Sequence, residues 1–250
     1  MSGHSKWASI KHKKAATDAK RGKMFTKCIK EITTAARIGG GAMDSNPRLR
    51  LAVDKAKAAN MPADNIDRAI KKGTGELPGV SYEELAYEGY AAGGVAVYVK
   101  CLTDNKNRTS SEIRNIFSKN NGNMAGAGSV AWIFEPKGLI TVKDSAVSEE
   151  KLFEVVTEAG AEDMVHEGDV FEVTTPPAEF DAVKSSIAAA NIMLESEELT
   201  MIPKNQMKIA EEQAARQVLK LVEALEDHDD TQNVYANFDI PDDVLEKIQE

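Results

Sequence analysis

The sequence has no long apolar run: although 42% of its 250 residues are hydrophobic, nowhere do they approach the ~20 in a row that a membrane-spanning helix requires. No apolar segment follows the charged start, so neither a membrane role nor a secretory leader is expected. A mitochondrial leader is basic too, but it would favour Arg and Ser over the Lys found here. Cysteine is scarce: Cys28 and Cys101 each sit in a pattern that buries them, which suggests reduced thiols and a cytoplasmic location. The four histidines, His4, His12, His166 and His228, have no zinc-site spacing, so no metal or cofactor is expected. GxSxG, P-loop, HExxH and CxxC signatures are missing, and so are helix-turn-helix and zinc-finger patterns. The expectation is a protein that is not an enzyme.

What is present is charge, unevenly placed. Residues 1–30 carry nine cations and the single acid Asp18, while the whole chain has a net charge of −9. Over residues 1–78 the count is seventeen cations against seven acids; the rest holds 14 cations and 33 acids. Such segregation needs a local reason, and a polyanion is the usual one. The candidate nucleic-acid contacts are Lys6, Trp7, Lys11, His12, Lys13, Lys14, Lys20, Arg21, Lys23, Lys27 and Lys30. A solvated charged face is the plainer reading, but exposed ion pairs with the protein's own acids are worth only ~0–1 kcal/mol each. Phosphates with counterions to release compete strongly for the same lysines.

Residues 1–22 read as a basic arm with too few apolar residues for a core. From Met24 a helical period appears, with Met24, Phe25, Cys28, Ile29, Ile32, Ala35 and Ala36 on the buried face. The same period sets Lys20, Lys23, Lys27, Lys30 and Arg37 on the opposite side, as a ridge facing solvent. Asn46 and Pro47 then open a second helix, with Leu49, Ala52, Val53, Ala56 and Ala59 inward. Pro62 opens a third, with Ile66, Ala69 and Ile70 inward and Lys71, Lys72 and Gly73 at its end. Residues 23–78 are thus a three-helix domain.

Beyond a Gly/Pro cluster the period becomes two. Tyr82–Tyr90 and Val95–Leu102 read as strands about Gly93–Gly94, Lys106–Asn120 as a helix, and Ser129–Phe134 as a third strand with Trp132 in the core. Residues 138–202 give the order βαββαβ, the split-βαβ, ferredoxin-like pattern. A long helix over Asn205–Asp227 and a strand over Asn233–Phe238 complete the preceding domain. The fold class is α+β: an N-terminal three-helix domain, a middle α/β domain of residues 79–136 and 204–250, and a ferredoxin-like insertion of residues 137–203. The insertion's strands carry Phe171 alone among aromatics and many acids, which suits a protein partner better than RNA bases.

A second polar stretch, Thr103–Thr109, joins a strand to a helix. Asn105, Lys106, Asn107 and Arg108 there suit an anion or a nucleic-acid backbone; ordinary capping, with Asn107 or Thr109 starting the helix and Arg108 solvated, is the other reading. The loops Asn120–Asn123 and Gly126–Gly128 read as connectors, and Glu83, Glu84 and Glu88 as a solvated strand face.

Several stretches together resemble one family: GHSKW (3–7), IKHKKA (10–15), KMFTK (23–27), NPRLR (46–50), NMPADNIDRAIKKG (60–73), YEGY (87–90), TDNKNRT (103–109) and GSVAW (128–132). They are similar, in collinear order over the full length, to the YebC/PmpR family, which includes the mitochondrial translational activator of cytochrome c oxidase. Ala92 stands where many relatives carry Pro. The resemblance implies three domains, no enzymatic activity, and either of two roles. One is a DNA-binding transcriptional regulatory protein. The alternative is a ribosome-associated translation factor that binds ribosomal RNA and eases elongation through proline-rich stretches, with the ribosome or another protein meeting the acidic domains. Phosphate contacts carry no sequence information, so the residues themselves reach nucleic acid and leave DNA or RNA, and the oligomeric state, open.

Overall fold

The computed structural model describes residues 18–249. These divide into two compact units, Trp132–Asn205 and the remainder, residues 18–131 with 206–249. The larger unit opens with three helices. Helix α1, Asp18–Gly39, begins inside the stretch expected to be the basic arm, residues 1–22. Helix α2, Pro47–Ala58, is capped by Asn46, whose Oδ1 accepts from Leu49 N and whose Nδ2 donates to the carbonyls of Ala35 and Gly40. One amide thereby starts α2 and ends α1. Helix α3, Ala63–Thr74, stops at Gly75 in the left-handed region. Gly73 lies against α1 so closely that a Cβ would meet the Thr33 carbonyl at 2.5 Å. The core of the three helices gathers Cys28, Ile32, Ala35, Ala36, Leu49, Val53 and Ile66, while Met24, expected inward, is exposed.

The same unit holds a four-stranded sheet ordered β3-β1-β2-β9: β1 Glu83–Tyr90, β2 Ala96–Thr103, β3 Asn123–Ala125 and β9 Thr231–Ala236. All its neighbours run antiparallel. Helices α4, Lys106–Lys119, and α7, Glu212–Glu226, contribute Ile113, Phe117, Val218, Leu221 and Leu225 to its core. Gly89 is required where β1 passes β3, since a Cβ would meet Asn123 O and the Phe117 ring at 2.6 Å. Residues 205–211 are extended, not helical as expected: Met207 and Ile209 donate backbone bonds to Asn237 and Asp239. A short parallel pair, β8 Met207–Lys208 with β10 Phe238–Asp239, fixes this segment. A last helix, α8, spans Asp242–Gln249.

Ser129–Phe134 is not a strand. The stretch that pairs with β1 is Asn123–Ala125, and Ala131–Ile133 makes a 3-10 turn. The cause is Glu88, 5% exposed, whose carboxylate accepts from the amides of Gly128, Val130 and Ala131 at 2.6, 2.6 and 2.9 Å. Peptide N–H groups pointing at a carboxylate are unavailable to a strand ladder. Glu88 is therefore not part of a solvated face, and Trp132, expected in the core, is 62% exposed.

The other unit is the βαββαβ array. Strands β4 Phe134–Lys143, β5 Asp163–Glu167, β6 Val170–Thr175 and β7 Leu194–Pro203 form an antiparallel sheet ordered β5-β6-β4-β7, the ferredoxin-like order. Helices α5, Glu149–Glu158, and α6, Phe180–Ala189, place Leu152, Val156, Val183 and Ile187 against Ile140, Val142 and Val173. No helix among the described residues is long and apolar enough to cross a membrane.

Candidate nucleic-acid interface

Six of the candidate contacts, Lys6, Trp7, Lys11, His12, Lys13 and Lys14, lie outside the described residues, as does the side chain of Lys20. Arg21 lies on the first turn of α1 and is exposed.

Further along α1 the expected solvent-facing ridge holds at Lys23 and Arg37, which are exposed, and is corrected at Lys27 and Lys30. Lys23 donates to the Asp227 carbonyl at 3.0 Å, Lys27 to the Glu226 carbonyl at 2.5 Å, and Lys30 to the Asp229 carbonyl at 3.0 Å. Lys30 also meets the Asp230 carboxylate at 2.5 Å and is 8% exposed. Arg37 bonds Ser81 and the Tyr82 carbonyl. The helical period rightly put these cations on one side; what covers that side is the C-terminal end of α7 and the turn after it. A helix end offers carbonyls without intrahelical partners and the negative pole of its dipole, so ammonium groups settle there. Lys30 is buried structure and leaves the set of phosphate contacts, and Lys27 is half-buried.

Asp230 is the centre of this seam. Its second oxygen accepts from Arg108 at 2.8 Å and from Thr109 at 2.6 Å, and its backbone N–H donates to His228 Nδ1. Burial pushes its carboxyl up, but the hydrogen bonds from Arg108, Lys30 and Thr109 and the Lys30 charge outweigh that and hold it well below the usual carboxylate range. Nothing in the sequence near Asp230 marks it; the sole signal is that TDNKNRT supplies a guanidinium and a hydroxyl side by side, at Arg108 and Thr109.

The polar stretch thus resolves into capping. Asn105, not Asn107 or Thr109, is the N-cap of α4, accepting from Arg108 N at 3.1 Å. Arg108 is not simply solvated: it also pairs with Asp104 at 2.9 Å. Lys106 and Asn107 are exposed. The structure therefore brings Arg108 together with Lys30 around one carboxylate and leaves Lys106 and Asn107 outward.

Chemistry of other kinds finds little purchase. Burial pushes the Cys28 thiol up and Cys101 to about 11, the reverse of what a nucleophilic cysteine needs. Among the described residues, Glu112, His228 and Asp230 converge closely enough to suggest metal ligands. His228, however, uses Nδ1 to accept from Asp230 N and bonds Glu112 through Nε2 at 2.8 Å. Asp230 already carries two cationic partners, whose charge opposes a further cation.

Two family models match the chain: the TACO1/YebC protein N-terminal domain over residues 5–76, and the TACO1/YebC second and third domain over residues 82–238. A probable transcriptional regulatory protein of Desulforapulum autotrophicum is 60% identical over 98% of this chain and 99% of its own length. One of Geobacter sulfurreducens is 59% identical over 99% of this chain and 100% of its own. The crystal structure of a conserved hypothetical protein from Aquifex aeolicus superposes with a TM-score of 0.80 at 49% identity, covering 90% of this chain and 93% of that one.

Proposed function

The chain belongs to the TACO1/YebC family, and from that premise we propose that it is a non-enzymatic, cytoplasmic, nucleic-acid-binding regulator of gene expression that grips phosphate backbone with its basic first residues. The observation that carries this is charge segregation: nine cations and one acid in residues 1–30 of a chain whose net charge is −9. The described geometry supports a narrower set of contacts than the sequence does. With Lys30 buried against Asp230 and Lys27 half-buried, the proposed binding residues are Lys6, Trp7, Lys11, His12, Lys13, Lys14, Lys20, Arg21 and the exposed Lys23. Two buried free thiols suit a reducing compartment. The acid-rich remainder carries net negative charge, which limits phosphate to local cationic spots and suits protein partners.

Salt-dependent binding tests the reading. With about six phosphate contacts, log Kd of a mixed-sequence 20-base-pair duplex DNA rises with log salt at a slope near 5. Reversing Lys11, Lys13 and Lys14 to Glu removes roughly half that slope. A Kd independent of salt, or no binding to duplex DNA or structured RNA, overturns it. Tighter binding to structured RNA at matched salt moves the target to ribosomal RNA, and with it the role to translation.

A further inference from the structure

Outside the seam, one surface of the middle domain has a composition its surroundings do not predict. Between the end of α4 and the outer side of α7 lies a cleft of about 180 Å³. Three cations line it, Lys119, Arg216 and Lys220, together with four carboxamides, Asn120, Asn121, Gln213 and Gln217. Residues 79–250 contain 33 acids and 14 cations, yet none of the lining residues is acidic.

Local structure fixes this lining. Gln213, Gln217 and Lys220 stand at i, i+4 and i+7 on α7, opposite the face that buries Val218, Leu221, Val222 and Leu225. Across from them, α4 ends at Lys119. Near the end of α4 the Ile116 carbonyl accepts from Asn120 Nδ2 and the Phe117 carbonyl from Gly122 N, each at 2.8 Å. Arg216 is committed: it bonds Glu212 and the carbonyls of Lys247 and Ile248. The available ammonium groups are those of Lys119 and Lys220, both exposed.

We propose that this cleft is a second contact for nucleic-acid backbone, in which Lys119 and Lys220 neutralise phosphate and the carboxamide N–H groups of Gln213 and Gln217 donate to its oxygens. It rests on the reading that the protein binds nucleic acid. Ammonium and amide donors together are what phosphate oxygens accept from. The volume admits a phosphate group and a few waters but falls short of the 300 Å³ or more typical of a small-molecule pocket. With no aromatic in the lining, the cleft offers no base-stacking platform and contributes affinity without sequence preference.

The test compares the full-length protein with K119E/K220E, and with K151E/K208E, which makes the same charge change at exposed lysines elsewhere. Each is titrated with the 20-base-pair duplex DNA and a structured RNA across a salt series, and lysine acetylation is mapped with and without polymer. The cleft variant is expected to lose about 2 from the log–log slope, close to 0.9 for each phosphate contact, while the control loses much less. Polymer is expected to protect Lys119 and Lys220 from acetylation. An unchanged slope, an equal loss in the control, or unprotected lysines overturns the inference while leaving arm binding intact. If the parent protein binds neither polymer, the proposed function fails and the cleft contact with it.

Discussion

The ammonium of Lys30 sits 2.5 Å from the carboxylate of Asp230, 200 residues further along the chain, and both groups are buried. Through Asp230 the same carboxylate reaches Arg108 and Thr109, so one acid ties the first helix, the start of α4 and the turn before β9. Taking Asp230 away strands the Lys30 ammonium in a poorly hydrated site, whereas taking Lys30 away leaves Asp230 its bonds from Arg108 and Thr109. Asp230→Asn should lower unfolding free energy by about 3 kcal/mol, and Lys30→Met by less, about 1–2 kcal/mol, because Arg108 and Thr109 still serve the carboxylate. Urea denaturation checks this; losses below about 1 kcal/mol for both would show that the pair contributes no stability.

Acid should weaken the fold through two carboxylates. Burial pushes Glu88 upward, but the amides of Val130, Gly128, Ala131 and Ser129 outweigh it and lower its pKa, and Asp230 is lowered as well. A depressed folded-state pKa means stability that is present at neutral pH and is lost as pH falls below the ordinary carboxylate value of about 4. Thermal melts between pH 7 and 3 should show the loss confined to the acid limb, and Glu88→Gln should flatten part of it. A melting temperature that stays level to pH 3 contradicts the assignment.

Gly73 tests the packing of α3 on α1. An added Cβ would lie 2.5 Å from the Thr33 carbonyl and 2.7 Å from Ala36 Cβ, and neither backbone nor a helical Ala can swing aside. Gly73→Ala should cost 1–3 kcal/mol despite its better helix propensity. A stabilised variant, read by the same denaturation curve, would mean that the helices have room between them.

Cys28 and Cys101 should resist reagents. Both thiols are buried and their pKa values are raised, so at pH 8 thiolate is scarce and access is closed. Ellman's reagent is expected to titrate neither in the native protein within minutes and both in 6 M urea. Rapid native reaction of one thiol would place it at the surface.

Features set by near neighbours in sequence were legible before any coordinates. Asn46–Pro47 announced α2 because a cap and a proline act within one turn. The βαββαβ order followed from alternation and turn residues. The readings that failed were settled by partners far along the chain. Ser129–Phe134 has a strand's alternation, and Glu88, some forty residues earlier, overrides it. Residues 205–211 continue the apolar period of α7, yet pair with residues 237–239 instead. The α1 lysines show the same limit: periodicity groups side chains on a face, but only the tertiary fold says what that face meets. Helix α8, with Pro241 just before it, carried a readable start signal that was missed.

The unit Trp132–Asn205 begins and ends on strands that are register neighbours, Phe134 opposite Pro203. Its two borders are held independently of it, Ala131 by the Glu88 carboxylate and Met207 by the Asn237 carbonyl. The chain therefore departs and returns through one doorway. A short Gly-Ser bridge from Ala131 to Gln206 would thus excise the whole insert without removing a strand of the four-stranded sheet.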